Sequence, residues 1–175
     1  MEKINESQTL CKSCGLCCSG HLFAWVRLNA NELDKVENLG LNVIRNDPRQ
    51  RGFLQPCPVW QGGVCTVYES PDYPSSCRKY KCIVLRKLLD EKIDFSNAIS
   101  QIEETLSLIK EIENLLPVSS AISFRERIIE NKEKLEKSDK QNYSDKEKEF
   151  LQKTKELLDL YENRFGVDDF IDYEK

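Results

Sequence analysis

The cysteines constrain this chain more than any other feature: all eight fall within its first 82 residues and none in the 93 that follow. The densest stretch is Cys11-Lys12-Ser13-Cys14-Gly15-Leu16-Cys17-Cys18, and Cys57, Cys65, Cys77 and Cys82 complete the set. Thiols confined to one end of a chain point to one shared site. A thiolate is a soft, strongly donating ligand, and a Cys-x-x-Cys turn lets two of them reach one tetrahedral ion without straining the backbone. All eight are therefore candidate metal ligands, expected to converge in space despite the long segment between Cys18 and Cys57.

A disulfide framework is the competing use of so many cysteines, and it belongs to secreted chains. The start, Met1 to Gln8, has no apolar signal core, and no apolar run approaches the roughly 20 residues that a membrane helix needs. The expected setting is the cytoplasm with no membrane partner, where thiols stay reduced unless they hold metal. Composition is that of an ordinary globular chain, 39% apolar and 32% charged over 175 residues, long enough to bury a core.

Basic and acidic residues number 10 and 8 before Ile83, and 16 and 22 from there on. A nucleic-acid footprint needs a far larger basic surplus, so no nucleic-acid partner is expected. The slight positive balance near the cysteines has a local explanation. Four thiolates around a divalent ion leave a net charge of about −2, which nearby cations or amide donors must offset. Lys12, Arg78, Lys79 and Lys81 stand beside cysteines, and Arg78 is expected to steady the site or its loop.

The sequence predicts a mainly α chain with a small, irregular α+β cysteine-rich region (residues 1–92), followed by an array of about three helices (residues 93–175). Residues up to Thr9 read as a polar lead-in. Leu22 to Leu28 is aromatic and β-branched, suited to a strand. Asn29 or Asn31 can cap a short helix through Leu33, Val36 and Leu39 to Gly40, and Asn42 to Gln55 reads as a loop. Pro56 to Tyr68 predicts a hairpin turning at Gly62-Gly63, which would bring Cys57 and Cys65 together. Cys77 and Cys82 lie about 140° apart on an ideal helix, so a loop or loosened turn would orient them better. Beyond them, helices are predicted from Ser96 to Leu116, from Ser120 to Glu136, and from Ser144 to Gly166, the last opened by a Ser144–Glu147 capping box. Their Lys and Glu runs read as solvated faces that could also meet a protein partner.

Adjacent Cys17 and Cys18 point their side chains in different directions, which hints at two centres. Eight thiols would saturate two tetrathiolate zinc sites, yet the spacing is unlike ribbon or cross-braced folds. Cys11, Cys14 and Cys17 match the Cys-x2-Cys-x2-Cys ferredoxin run, and Cys57-Pro58 is similar to its remote Cys-Pro ligand, so an iron–sulfur cluster, including a 4Fe-4S cluster, stands beside zinc or iron ions as the expected cofactor. The run differs from the Cys-x3-Cys-x2-Cys of radical enzymes that use S-adenosylmethionine.

Taken together, Cys-x-x-Cys-Gly-x-Cys-Cys at 11 to 18, Cys57-Pro58, Cys65-Thr66-Val67-Tyr68-Glu69 and Cys77-Arg78-x-Tyr80-x-Cys82 resemble the bacterial cysteine-cluster family (CxxCxxCC, YkgJ-type). The resemblance covers Cys11 to Cys82. It implies a zinc- or iron-chelating domain of eight cysteines, in a family that includes a flagellin lysine N-methylase. The chain departs from the family pattern at Ser70-Pro71, where Arg-Pro is usual, and carries two extra residues before Cys77. The helices after Ile83 lie outside the resemblance.

The remaining candidates are weaker. His21, the one histidine, could ligate metal or carry a proton, but eight thiols already suffice. Trp25, Trp60, Tyr68 and Tyr80 read as packing around the site, and adjacent Asp168 and Asp169 make a poor acid–base pair. No phosphate loop, dinucleotide fingerprint or serine-nucleophile motif is present, so no catalytic residue is assigned. The expectation is a metal-binding protein whose metal is mainly structural; the alternative is a protein-modifying enzyme similar to the flagellin methylase, using a metal cluster.

Overall fold

The computed structural model describes residues 2–47, 49–117, 123–138 and 142–167. The fold is mainly α with two small antiparallel sheets. Helix α1 (Glu2–Cys14) comes first, where the sequence suggests a polar lead-in. Its residues have no apolar period, but Glu, Lys and Gln are good helix formers, and Leu10 is buried in the core to fasten the helix. Gly15, at φ 70°, ends it.

Strand β1 (Trp25–Arg27) occupies the middle of the predicted 22–28 strand. A 3₁₀ turn (Ala30–Glu32) leads into α2 (Leu33–Asn38). The segment that reads as a loop carries two strands, β2 (Val43–Ile44) and β3 (Gly52–Leu54). β3 is the middle strand and pairs antiparallel with both β1 and β2. Such short strands have no alternation along the sequence; pairing decides them. The predicted hairpin is present as β4 (Trp60–Gln61) and β5 (Val64–Cys65), with Trp60 opposite Cys65. Gly62 and Gly63 make its turn at φ 57° and 78°.

Cys77 lies on α3 (Ser75–Lys79), and the helix breaks at Tyr80, whose backbone is extended. Cys82 then caps α4 (Ile83–Leu89), its sulfur accepting from the Leu85 amide at 3.3 Å. This helix is additional to the three predicted, although Ile83, Val84, Leu85 and Leu88 signal it. Helix α5 (Phe95–Glu113) is capped by Asp94, which accepts from the Asn97 amide at 2.7 Å, two residues before the predicted Ser96. Starting at Phe95 lets that ring pack on the core. Helix α6 (Phe124–Glu136) begins with a Ser123–Glu126 capping box; the predicted start at Ser120, and Ile122, lie outside the described residues. Helix α7 (Asp145–Leu160) opens on the predicted Ser144–Glu147 box and passes through a π turn (Tyr161–Phe165) to Gly166 at φ 69°.

Two apolar cores result. The larger joins α1, α4, α5, α6 and α7, with Leu10, Leu16 and Leu22 from the cysteine-rich stretch packed among Ile112, Ile128, Phe150 and Tyr161. The smaller lies against the three-stranded sheet and contains Leu28, Val36, Leu41, Phe53 and Val59. No helix among the described residues is long and apolar enough to cross a membrane. Lys and Glu on the C-terminal helices pair along and between helices, as in the exposed Lys137–Glu133 and the half-buried Lys153 with Glu111, which is how solvated faces behave.

Candidate metal centre

Cys17 and Cys18 mark the seam between these cores. Cys14, Cys17 and Cys82 pack against the helical core, whereas Cys18, Cys57 and Cys77 belong to the sheet core. Between them lies a cavity of about 280 Å³ whose walls include all eight cysteines. The convergence expected from their confinement to one end of the chain is therefore present, although they come from four separate stretches of sequence.

Local structure explains how each stretch arrives. α1 presents Cys11 and Cys14, and the turn beyond Gly15 presents Cys17 and Cys18. The Cys57 amide donates to the Cys18 carbonyl at 2.6 Å, which fixes the second stretch beside the first. The hairpin folds Cys65 back over Cys57, held by the Thr66 amide on the Val59 carbonyl at 3.0 Å. Glu32 receives the Ser75 amide at 2.8 Å and anchors α3, with Cys77, to the 3₁₀ turn. The Tyr80 hydroxyl donates to the Phe165 carbonyl at 2.6 Å, so the cavity wall is tied to the end of α7.

The Leu85 amide donates to the Cys82 sulfur at 3.3 Å. Backbone amides that follow each cysteine also favour the thiolate of Cys14 (Leu16), Cys57 (Val59 and Trp60), Cys65 (Val67 and Tyr68) and Cys82 (Val84 and Leu85). Amides converging on sulfur favour the anionic thiolate, the form that binds metal. Lys12 acts in the same sense on Cys65, lying over the Tyr68 ring at 5.0 Å and pairing with Glu69. Arg86 does so for Cys82, a cation four positions beyond the cysteine it serves. Arg78 steadies the loop: it stacks on Tyr73 at 5.4 Å and donates to the Ser70 carbonyl at 3.4 Å. The Tyr73 side chain in turn favours the Cys77 thiolate. Lys79 and Lys81 are exposed.

Desolvation outweighs these aids. It pushes the Cys14 and Cys77 thiols up to about 12 and Cys17 well above its ordinary value, and crowding by the other thiols adds to it. Even Cys11, at the solvent edge of the cavity, is pushed up to about 11 by desolvation, then by Cys82 and Cys65. Burial thus favours the neutral thiol at all eight positions at pH 7. The linkage has a definite sign. Above the ordinary thiol value near 9 the unfolded chain sheds protons first, so the folded form loses stability as pH rises from about 9 to about 12. The metal-free chain should therefore melt progressively lower between these limits, its thiolate absorbance appearing later than in denaturant. A melting temperature flat across that interval would contradict the burial of the thiols.

His21 takes no part in the cavity wall. Its Nδ1 meets the Ser19 hydroxyl, its Nε2 stands 3.6 Å from Glu113, and its ring packs edge-on against Phe124. Desolvation holds its pKa below the usual histidine value. The neutral ring thus fastens the cysteine turn to α5. Trp25, Tyr68 and Tyr80 line the cavity and Trp60 packs across Gly15, as packing residues should. Asp168 and Asp169 lie outside the described residues.

No protein-family profile, curated protein or solved structure matches the chain.

The donor set suits a soft metal. Besides the thiols, the cavity is walled mainly by Leu, Val, Phe and Tyr, with no carboxylate and no imidazole among the described residues. The Gln55 Oε1 in that wall is buried without a hydrogen-bond partner. Among the described residues no three Cys, His, Asp or Glu groups are drawn close enough to grip one ion. The thiols surround a volume rather than a point.

Proposed function

We propose that this chain is a metal-binding protein whose eight cysteines chelate zinc or iron, the iron as ions or as an iron–sulfur cluster. The metal chiefly holds the sheet core against the helical core. The observation that carries this reading is that all eight cysteines, from four stretches of sequence, line one cavity. The amides directed at Cys14, Cys57, Cys65 and Cys82 support it, because they serve a thiolate and are wasted on a thiol. Turning a cysteine side chain from one rotamer toward a metal costs on the order of 1 kcal/mol. Binding a structural zinc contributes about 10–16 kcal/mol, so closure of the thiols onto metal is favourable. A reducing, cytoplasmic setting and kinship with the cysteine-cluster (CxxCxxCC, YkgJ-type) family belong to the same proposal. The enzyme alternative finds no carboxylate or imidazole in the cavity wall among the described residues.

Metal analysis of anaerobically purified chain, with a visible spectrum, tests the proposal. The expected result is bound metal: a colourless zinc protein, or a brown one with inorganic sulfide if the group is an iron–sulfur cluster. A chain that binds neither, with eight freely alkylated thiols, would overturn it.

A further inference from the structure

We infer that the eight cysteines form two separate four-thiol centres, one of Cys11, Cys14, Cys17 and Cys82 and the other of Cys18, Cys57, Cys65 and Cys77. This rests on the metal-binding reading above and adds to it which thiols act together.

The first argument is packing. Cys14, Cys17 and Cys82 are seated on the helical core and Cys18, Cys57 and Cys77 on the sheet core, so the dividing line runs through the peptide bond between Cys17 and Cys18. Consecutive side chains that face two cores cannot both turn to one ion without one of them leaving its core. The second is chain connection. Within one group, α1 packs on α4, which Cys82 caps, and α1 carries Cys11 and Cys14. Within the other, the Cys57 amide is bonded to the Cys18 carbonyl at 2.6 Å, and the hairpin brings Cys65 over Cys57.

Each group also holds two thiols whose anionic form the following amides favour, Cys14 and Cys82 in one, where Leu85 donates to the Cys82 sulfur at 3.3 Å, and Cys57 and Cys65 in the other. Electrostatic proximity agrees for two of the thiols: Cys18 feels Cys57, Cys65 and Cys77 ahead of Cys11, and Cys14 feels Cys82 and Cys11, while Cys17 feels Cys14 first and its chain neighbour Cys18 next. The groups meet at the Cys17–Cys18 pair and at Cys11, which neighbours Cys18, Cys65 and Cys77. Each group has the four donors that fill a tetrahedral thiolate site.

The test counts metal by native mass spectrometry in anaerobically purified wild-type chain, Cys14→Ser and Cys77→Ser, and maps thiols left open to N-ethylmaleimide. Each single variant is expected to keep about half of the wild-type metal, as two independent tetrathiolate sites require. In Cys14→Ser the thiols of Cys18, Cys57, Cys65 and Cys77 stay protected, and in Cys77→Ser those of Cys11, Cys14, Cys17 and Cys82. A variant that stays helical yet loses all metal and exposes every remaining thiol would mean one shared cluster and would overturn the division. If a variant fails to fold, stepwise removal of metal from wild type with EDTA decides the same question. Thiols released four at a time, in the groups named, support two centres, and release of all eight together refutes them. Wild-type chain purified without any metal would instead sink the metal-binding reading itself.

Discussion

Replacing Cys11 and Cys14 together by alanine should cost roughly 5 kcal/mol or more and disrupt helices far beyond the cysteine-rich segment. A structural thiolate site contributes on the order of 10 kcal/mol, comparable with the whole stability of a typical domain. From sequence alone the loss would be expected to stay local, since α5 and α7 have apolar faces of their own. The packing argues otherwise. Leu10 lies between Cys11 and the rest of α1, Leu16 and Leu22 bracket Cys17, Cys18 and His21, and all three leucines are buried among Ile112, Ile128 and Phe150. Loosening the turn withdraws three leucines from the same core that holds the C-terminal helices. The melting temperature should fall by about 10–20 °C, with far-ultraviolet circular dichroism reporting loss of helix in the same transition. A protease-resistant fragment spanning α5 to α7, helical and stable without the cysteine region, would contradict the sharing of the helical core by Leu10, Leu16 and Leu22.

The second large effect is expected from Gly15→Ala. Gly15 has φ 70°, a conformation that costs an alanine roughly 1–2 kcal/mol. A Cβ built there would overlap Trp60 Cζ2 and stand 2.7 Å from its Cε2, closer than carbon atoms can approach. Pushing Trp60 aside adds an overpacking cost of about 1–3 kcal/mol, so the total is roughly 2–5 kcal/mol. It also reaches the site, because Trp60 is the strand partner of Cys65 and Gly15 directly follows Cys14. Gly63→Ala is the control: its φ is 78°, but nothing lies within 4 Å of the added carbon. Comparing the two melting temperatures isolates the steric part, and tryptophan fluorescence reports whether Trp60 has moved. Equal losses in both variants would show that the contact with Trp60 costs nothing.

Much of the architecture was legible because it is encoded locally. The Ser144–Glu147 capping box, the Gly166 terminus and the Gly62-Gly63 hairpin depend on residues three or fewer positions apart, and each is found where the sequence places it. The broad class, mainly α with a small α+β region, followed from the same periodicities. Helix α1 was not legible, because its residues 2–9 carry no apolar period and its hold on the fold is tertiary, through Leu10. β2 and β3 were hidden for a related reason: strands of two and three residues exist only through their partners. α4 has visible apolar positions but is only seven residues long, and its cap is the sulfur of Cys82 rather than the Ser, Thr, Asp or Asn oxygen that ordinarily marks a helix start.

For the site, the sequence by itself determined the inventory: eight thiols confined to one end, a Cys-Cys pair that cannot share one direction, and a single histidine beside them. Residue chemistry and spacing carry that much, since both are written along the chain. Only the tertiary structure decided that four distant stretches line one cavity, that Cys17 and Cys18 face opposite cores, and which amides and cations attend which sulfur. Those facts depend on where α4, the hairpin and α3 dock. Docking is a balance of apolar burial and hydrogen bonds between residues dozens of positions apart, as between Glu32 and Ser75 or Tyr80 and Phe165, and no local pattern along the chain encodes it.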